Sequence, residues 1–132
     1  PAHTGIMTLL GDLNRLYKTE PALYSRNYSA DGFAWIDCHD NTQSVISYRR
    51  IAENEEVIVI LNFTPVLRKD YRIGLPEPGQ YRELFNSDSS YYGGSDQGNH
   101  GLLVTEAVSW MNLPCSVSLT VPPLGAVILK RC

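Results

Sequence analysis

Three potentially reactive side chains lie close together just after an apolar segment: Asp37, His39 and Asp40. Two carboxylates beside an imidazole can bind a metal ion or move protons. A solvated turn after a strand explains the same residues without any chemistry. Acid/base catalysis by paired carboxyl groups needs the two held a short distance apart, and no pair in the sequence makes that case. We therefore predict no catalytic residue in this chain and interpret the segment as a turn.

The stretch from Asn86 to Asn99 is rich in oxygen ligands and resembles a calcium loop in composition. An EF-hand loop needs Gly at its sixth position and Glu at its twelfth. Counted from Asn86, those positions hold Tyr91 and Gln97. The sequence therefore predicts an irregular polar loop, with no metal and no cofactor.

Aromatic side chains provide the remaining candidate site, because flat rings can stack on sugar rings. Trp35, Tyr91 and Tyr92 are the predicted sugar-binding residues, and Trp110 is a weaker candidate. Tyr91 and Tyr92 precede a Gly-Gly pair in a loop of the kind that often carries function. Large aromatic residues are mostly buried, so the core remains an alternative position for Trp35.

Composition narrows the classes of partner. The chain has 132 residues, 43% of them apolar, and a net charge of −3. Nucleic acids and anionic membranes attract basic surfaces, so we expect neither as a partner. The three cysteines, Cys38, Cys115 and Cys132, lack the Cys-x-x-Cys spacing of zinc or redox sites. Reduced cysteines favour a cytoplasmic location.

One helix is predicted to precede a series of strands. From Ile6 to Lys18 the apolar residues recur at helical spacing, with Thr4 at the start and Pro21 at the stop. Short runs with a period of two follow, separated by polar turns, and this pattern predicts an all-β antiparallel sandwich. The predicted strands are Phe33 to Ile36, Val45 to Arg50, Val57 to Phe63, Tyr71 to Leu75, Tyr81 to Phe85, Leu102 to Thr105, Val117 to Val121 and Ala126 to Lys130.

Four ordered blocks connect the chain to a known family. They are DLNRLYKTEPAL (Asp12 to Leu23), GFAWIDCHD (Gly32 to Asp40), the long run from Val57 to Ser95, and SVSLTVPPLGAVILK (Ser116 to Lys130). Together they resemble the C-terminal β-domain of bacterial 1,4-α-glucan (glycogen) branching enzymes of the α-amylase superfamily. DYRIGLPEPG and YYGGS favour this group over amylases, isoamylases and debranching enzymes, and leave closely related trehalose-forming enzymes as an alternative.

The resemblance implies a division of the chain. Residues 1–24 would be the last helix of a catalytic (β/α)8 barrel with its linker, and residues 25–132 the C-terminal β-sandwich. The parent enzyme would cleave an α-1,4 bond of a glucan and form an α-1,6 branch without a cofactor, using carboxylates of the barrel. This domain would brace the barrel of the same polypeptide and hold remote glucan or glycogen. An autonomous glucan-binding module, or the same domain of another superfamily member, remains an alternative.

Overall fold

The computed structural model describes residues 4–23, 32–40, 45–52, 55–88, 99 and 102–132. Their elements are α1 (Thr4–Thr19), a short 3₁₀ turn η1 (Pro21–Leu23), β1 (Phe33–Asp40), β2 (Val45–Ile51), β3 (Glu56–Asn62), β4 (Arg68–Leu75), β5 (Gln80–Asn86), β6 (Leu102–Val104), β7 (Cys115–Val121) and β8 (Ala126–Arg131). The predicted helix and all eight predicted strands are present, with ends that differ by a few residues.

The strands form two antiparallel sheets. A six-stranded sheet has the order β1-β2-β3-β8-β5-β6, and a two-stranded sheet pairs β4 with β7. Buried side chains from facing strands fill the space between the sheets, among them Ile58, Ile73, Leu75, Val117 and Leu129. The predicted antiparallel sandwich is therefore confirmed.

The helix lies on the other face of the six-stranded sheet, opposite the two-stranded sheet. Leu9, Leu13 and Leu16 pack there with a second buried cluster that includes Val59 and Ile128. Strand β3 is thus covered on both faces, which explains why its run VIVIL is apolar at every position. We call this side of the six-stranded sheet, together with the outer surface of α1, the helix-side face.

A bulge in β5 completes the packing under the helix. Glu83 pairs with Leu129, whose side chain belongs to the core between the sheets, whereas Phe85 pairs with Ile128 of the helix-side cluster. The register shift between Glu83 and Phe85 therefore moves Phe85 to the helix side. Alternation alone would have placed it on the side of Glu83.

The predicted end of the first strand is wrong. Strand β1 continues past Ile36 to Asp40, so the segment interpreted as a turn is extended and pairs with β2. It lies at the edge of the sheet and shifts register twice, between Trp35 and Asp37 and between Asp37 and Asp40. Edge strands tolerate bulges and polar residues because one side is free of partners.

Candidate functional site

Trp35 lies on the surface, in a cluster of three aromatic rings on the helix-side face. Strand pairing places Trp35 opposite Tyr48, and Tyr48 opposite Val59 of the helix-side cluster. The Phe33 ring centroid is 5.0 Å from that of Trp35 and 5.1 Å from that of Tyr48. Trp35 is 54% exposed, so its alternative position in the core is ruled out.

The geometry of the rings limits what this cluster can bind. The Trp35 plane stands at 89° to Phe33 and at 80° to Tyr48, so the three rings do not form one flat surface. Burial raises the pKa of the Tyr48 hydroxyl, and the positive charge of Arg50, which lowers it, only partly offsets this effect. A single exposed indole face is therefore available, either for a sugar ring or for an apolar side chain.

The other predicted aromatic residues do not join this cluster in the described structure. Tyr91 and Tyr92 lie outside the described residues. Trp110 is partly exposed on the tight turn Trp110 to Leu113, where Met111 and Asn112 both have positive φ angles. The backbone of Trp110 passes so close to Gly74 that a Cβ there would lie 2.2 Å from the Trp110 carbonyl oxygen.

The side chains of Asp37, His39 and Asp40 also lie outside the described part of the structure, so their chemistry stays a prediction. At the ends of the polar loop, described groups are already used in hydrogen bonds. Asn99 bonds through its side chain to Glu83 and to the backbone of Thr120. Among the described residues, no group of three or more His, Cys, Asp or Glu side chains could hold a metal ion.

A cavity of about 520 Å³ lies where the β2–β3 turn meets the end of β8. Its lining contains six charged side chains, and they form three ion pairs: Arg49 with Glu56, Lys130 with Glu55, and Arg131 with Glu77. Each charge therefore has a countercharge. These contacts stabilise the structure and pair the charged side chains of the lining, which also includes the free thiol of Cys132.

Lys130 connects this region to the end of the helix. Its ammonium group lies 2.7 Å from a Glu20 oxygen and 3.1 Å from a Glu55 oxygen. Burial lowers the pKa of Lys130, but the hydrogen bonds and charges of Glu20 and Glu55 outweigh this effect, and the net pKa is raised. The triad fixes the orientation of α1 on the sandwich, a contact that no sequence pattern indicated.

Exposed apolar side chains are concentrated on the helix-side face. On α1, Met7 is 72% exposed, and Ile6 and Leu10 are exposed beside it. The same face can be followed across the sheet to its far edge. Val57 of the helix-side cluster pairs with Lys130, and Lys130 pairs with Arg82. Arg82 in turn pairs with Leu102, so Leu102 and Val104 lie on the helix-side face. The sequence analysis did not single out Met7 or the two β6 residues. The signal for β6 was its run of three apolar residues, LLV, which must place apolar side chains on both faces of the strand.

None of the helices in the described residues is long and apolar enough to cross a membrane.

Comparison with known families gives a match over most of the chain. Residues 35–132 match the family "Alpha amylase, C-terminal all-beta domain". The "1,4-alpha-glucan branching enzyme GlgB" of Cellvibrio japonicus is 56% identical over 128 residues, which are 97% of this chain and 17% of that protein. The protein of the same name in Hydrogenovibrio crunogenus is 56% identical over 99% of this chain and 18% of its own length. The chain thus spans about a fifth of the length of these relatives and matches their C-terminal region.

Solved structures agree on the fold. An α-amylase from H. orenii superposes with a TM-score of 0.54 at 19% identity, covering 93% of this chain and 20% of the amylase. The trehalulose synthase MutB from Pseudomonas mesoacidophila MX-45 gives a TM-score of 0.53 at 21% identity, over 90% of this chain and 16% of the synthase. At these identities the likeness concerns the fold alone.

Proposed function

This chain belongs to the alpha-amylase C-terminal all-beta domain family, and we propose that it is the non-catalytic C-terminal domain of a 1,4-α-glucan branching enzyme. In this proposal α1 is the last helix of the catalytic (β/α)8 barrel, residues 1–24 include its linker, and residues 25–132 form the accessory sandwich. The parent enzyme cleaves α-1,4-glucan and transfers the released chain to form an α-1,6 branch. The barrel supplies the chemistry, and the domain supports the barrel in the cytoplasm.

The distribution of exposed apolar residues on the helix-side face carries this proposal. Leu9, Leu13 and Leu16 pack on the sandwich, while Ile6 and Leu10 on the outer side of the same helix face solvent. Apolar surface of this kind usually marks an interaction site. Burying a Leu or Ile side chain is worth about 1.5–3 kcal/mol, so a neighbouring barrel that covers α1 would gain stability from each of them.

The carboxylates agree with a supporting role. Retaining glycosyl transfer requires two carboxyl groups about 5 Å apart at a substrate-binding cleft. Among the described side chains, four glutamates come together beside the cavity, and each is in an ion pair with Lys130, Arg49 or Arg131: Glu20, Glu55, Glu56 and Glu77. We therefore expect the 132-residue chain to show no branching or hydrolysis of amylose in iodine-staining and reducing-end assays. Turnover that disappears on mutating Asp37 or Asp40 would contradict the proposal.

A comparison of two protein lengths tests the support of the barrel directly. Leu10→Asp should leave the melting temperature of the 132-residue chain nearly unchanged, because Leu10 is exposed there. In the longer polypeptide that includes the barrel, the same change should lower the melting temperature by several degrees. Arg15→Gln is the matched control, since it changes the net charge by the same amount at an exposed position on another side of α1. Equal effects of Leu10→Asp at both lengths would reject the proposed contact.

Glucan binding is the second candidate function, and the exposed indole of Trp35 favours it. A single ring without a deep pocket offers little contact area, so we expect affinity no tighter than about 1 mM. Titration with maltoheptaose, followed by amide chemical shifts, should give saturable changes around Trp35 that Trp35→Ala abolishes. Changes that persist in Trp35→Ala would direct the search to Tyr91 and Tyr92. Absence of any shift at tens of millimolar sugar would reject this second function.

A further inference from the structure

Two loops at one end of the six-stranded sheet together display three exposed apolar side chains: Phe63, Val66 and Leu124. We call this group the loop tip. One loop follows β3 and the other precedes β8, and the backbone N–H of Leu124 donates to the Thr64 carbonyl at 2.7 Å. The tip is therefore a composite of two segments separated by almost 60 positions in the sequence.

Asn62 fixes the tip from below. Its side chain is buried, and its amide nitrogen donates to the carbonyl oxygens of Val66 at 2.9 Å and Pro122 at 3.0 Å. Its amide oxygen accepts from the backbone and the hydroxyl of Thr64. The Asn62 side chain is thus fully used in holding the two loops together.

Leu124 combines backbone strain with solvent exposure. Its φ angle is +45°, in the left-handed region that Gly and Asn occupy more easily than a residue with a bulky apolar side chain. Its side chain is 69% exposed, so contacts within the chain do little to compensate for the strain. An unfavourable backbone that holds an apolar side chain in solvent points to a function for that side chain outside the domain.

We propose that the loop tip is a docking surface for the catalytic portion of the same polypeptide, with Leu124 as its most prominent contact; this inference rests on the proposed function. Leu61 and Ala126 pair on the helix-side face. Phe63 lies two residues after Leu61, one position past the end of β3, so the helix-side face continues to Phe63. The turn that holds Leu124 is hydrogen-bonded to the next residue, Thr64. The tip and the exposed stripe of α1 then bind one partner.

Two further observations select the occupant. The relatives carry about four-fifths of their length outside the region that this chain matches, which provides a large protein surface on the same polypeptide. Phe63 offers one flat ring, but Val66 and Leu124 beside it are aliphatic and offer neither a ring nor a hydrogen-bonding group for a sugar. A protein surface is therefore the better match than a glucan.

Leu124→Gly and Leu124→Asn test the tip, because both residues accept the left-handed backbone while removing the apolar side chain. In the 132-residue chain, both variants should melt at the same temperature as the parent or above it. In the longer polypeptide, both should lower the melting temperature of the domain by about 3–5 °C. Val108→Asn is the control, since Val108 is an exposed apolar residue outside the tip.

The outcomes separate this inference from the proposed function. A lower melting temperature of the 132-residue chain for both variants would show that Leu124 serves the fold, and the docking role would be overturned. Unchanged melting of the longer polypeptide would also overturn it. If Leu10→Asp still destabilises the longer polypeptide in that case, the proposed function stands without the tip; if neither change has an effect, both fail.

Discussion

Replacing Lys130 with Met should destabilise the chain through the two glutamates that remain. The ammonium group of Lys130 lies 2.7 Å from Glu20 and 3.1 Å from Glu55, and the Glu20 side chain is only 11% exposed. Met retains an aliphatic stem similar to that of Lys but leaves both carboxylates without this cation. Removing one partner of a fully buried pair costs about 3–5 kcal/mol, whereas exposed pairs contribute about 0–1 kcal/mol. We expect a loss of about 2 kcal/mol, because this triad is partly exposed.

Urea unfolding followed by circular dichroism at pH 7 measures the effect. Lys69→Met is the matched control, because Lys69 is an exposed lysine of β4 and its loss should change the free energy of unfolding by less than about 0.5 kcal/mol. A loss under about 0.5 kcal/mol at pH 7, which is within the range of an ordinary surface substitution, would refute the reasoning.

The parent chain gives the complementary alkaline test. The pKa of Lys130 is raised in the folded state, so its ion pairs contribute fully below the unfolded value of about 10.4. That contribution is lost as the pH rises through the folded pKa. The Lys130→Met variant lacks it at every pH and should therefore converge with the parent in strong alkali.

Three further perturbations test the helix, a buried tyrosine and the polar loop. Leu13→Asp places a charge between α1 and the sandwich and should lower the free energy of unfolding by about 2 kcal/mol; unchanged urea unfolding would show that the helix is dispensable. Burial first, then the charges of Glu56 and Cys115, raise the pKa of Tyr81 to about 12. Neutral Tyr81 should therefore contribute on the order of 3 kcal/mol to the free energy of unfolding, fully below pH 10 and progressively less toward pH 12. The Tyr81→Phe variant should not show this alkaline loss of stability. EDTA should leave the melting temperature unchanged, and a fall of several degrees that calcium reverses would reveal a metal site in the loop from Asn86 to Asn99.

Much of the fold was accessible from local pattern. Alternation located each strand, and the helical spacing from Ile6 to Lys18 located α1, because both signals arise from residues near one another in sequence. The continuous apolar run of β3 also contained information about its two covered faces. Which element covers the second face could not be inferred in the same way, since the Leu stripe of α1 fits either a sheet or a separate molecule.

Features that depend on distant residues were inaccessible. Glu20 and Lys130 are 110 positions apart, and charged residues carry no periodicity that would identify them as partners. The extension of β1 to Asp40 was missed because polar residues at a sheet edge have the composition of a turn. The position of Phe85 depends on a bulge, and one inserted residue reverses every assignment of sides that follows it.

The two candidate roles of Trp35 compete for the same surface. Trp35 lies on the helix-side face with the exposed stripe of α1, so a barrel that covers this face broadly would also bury the indole. A barrel could contact all three rings of the cluster, Phe33, Trp35 and Tyr48, because protein side chains can pack into the spaces between rings that lie at different angles. A glucan could stack on only one ring face, that of Trp35. We therefore expect Trp35→Ala to destabilise the longer polypeptide more than the 132-residue chain, and equal losses at both lengths would leave the indole free for sugar.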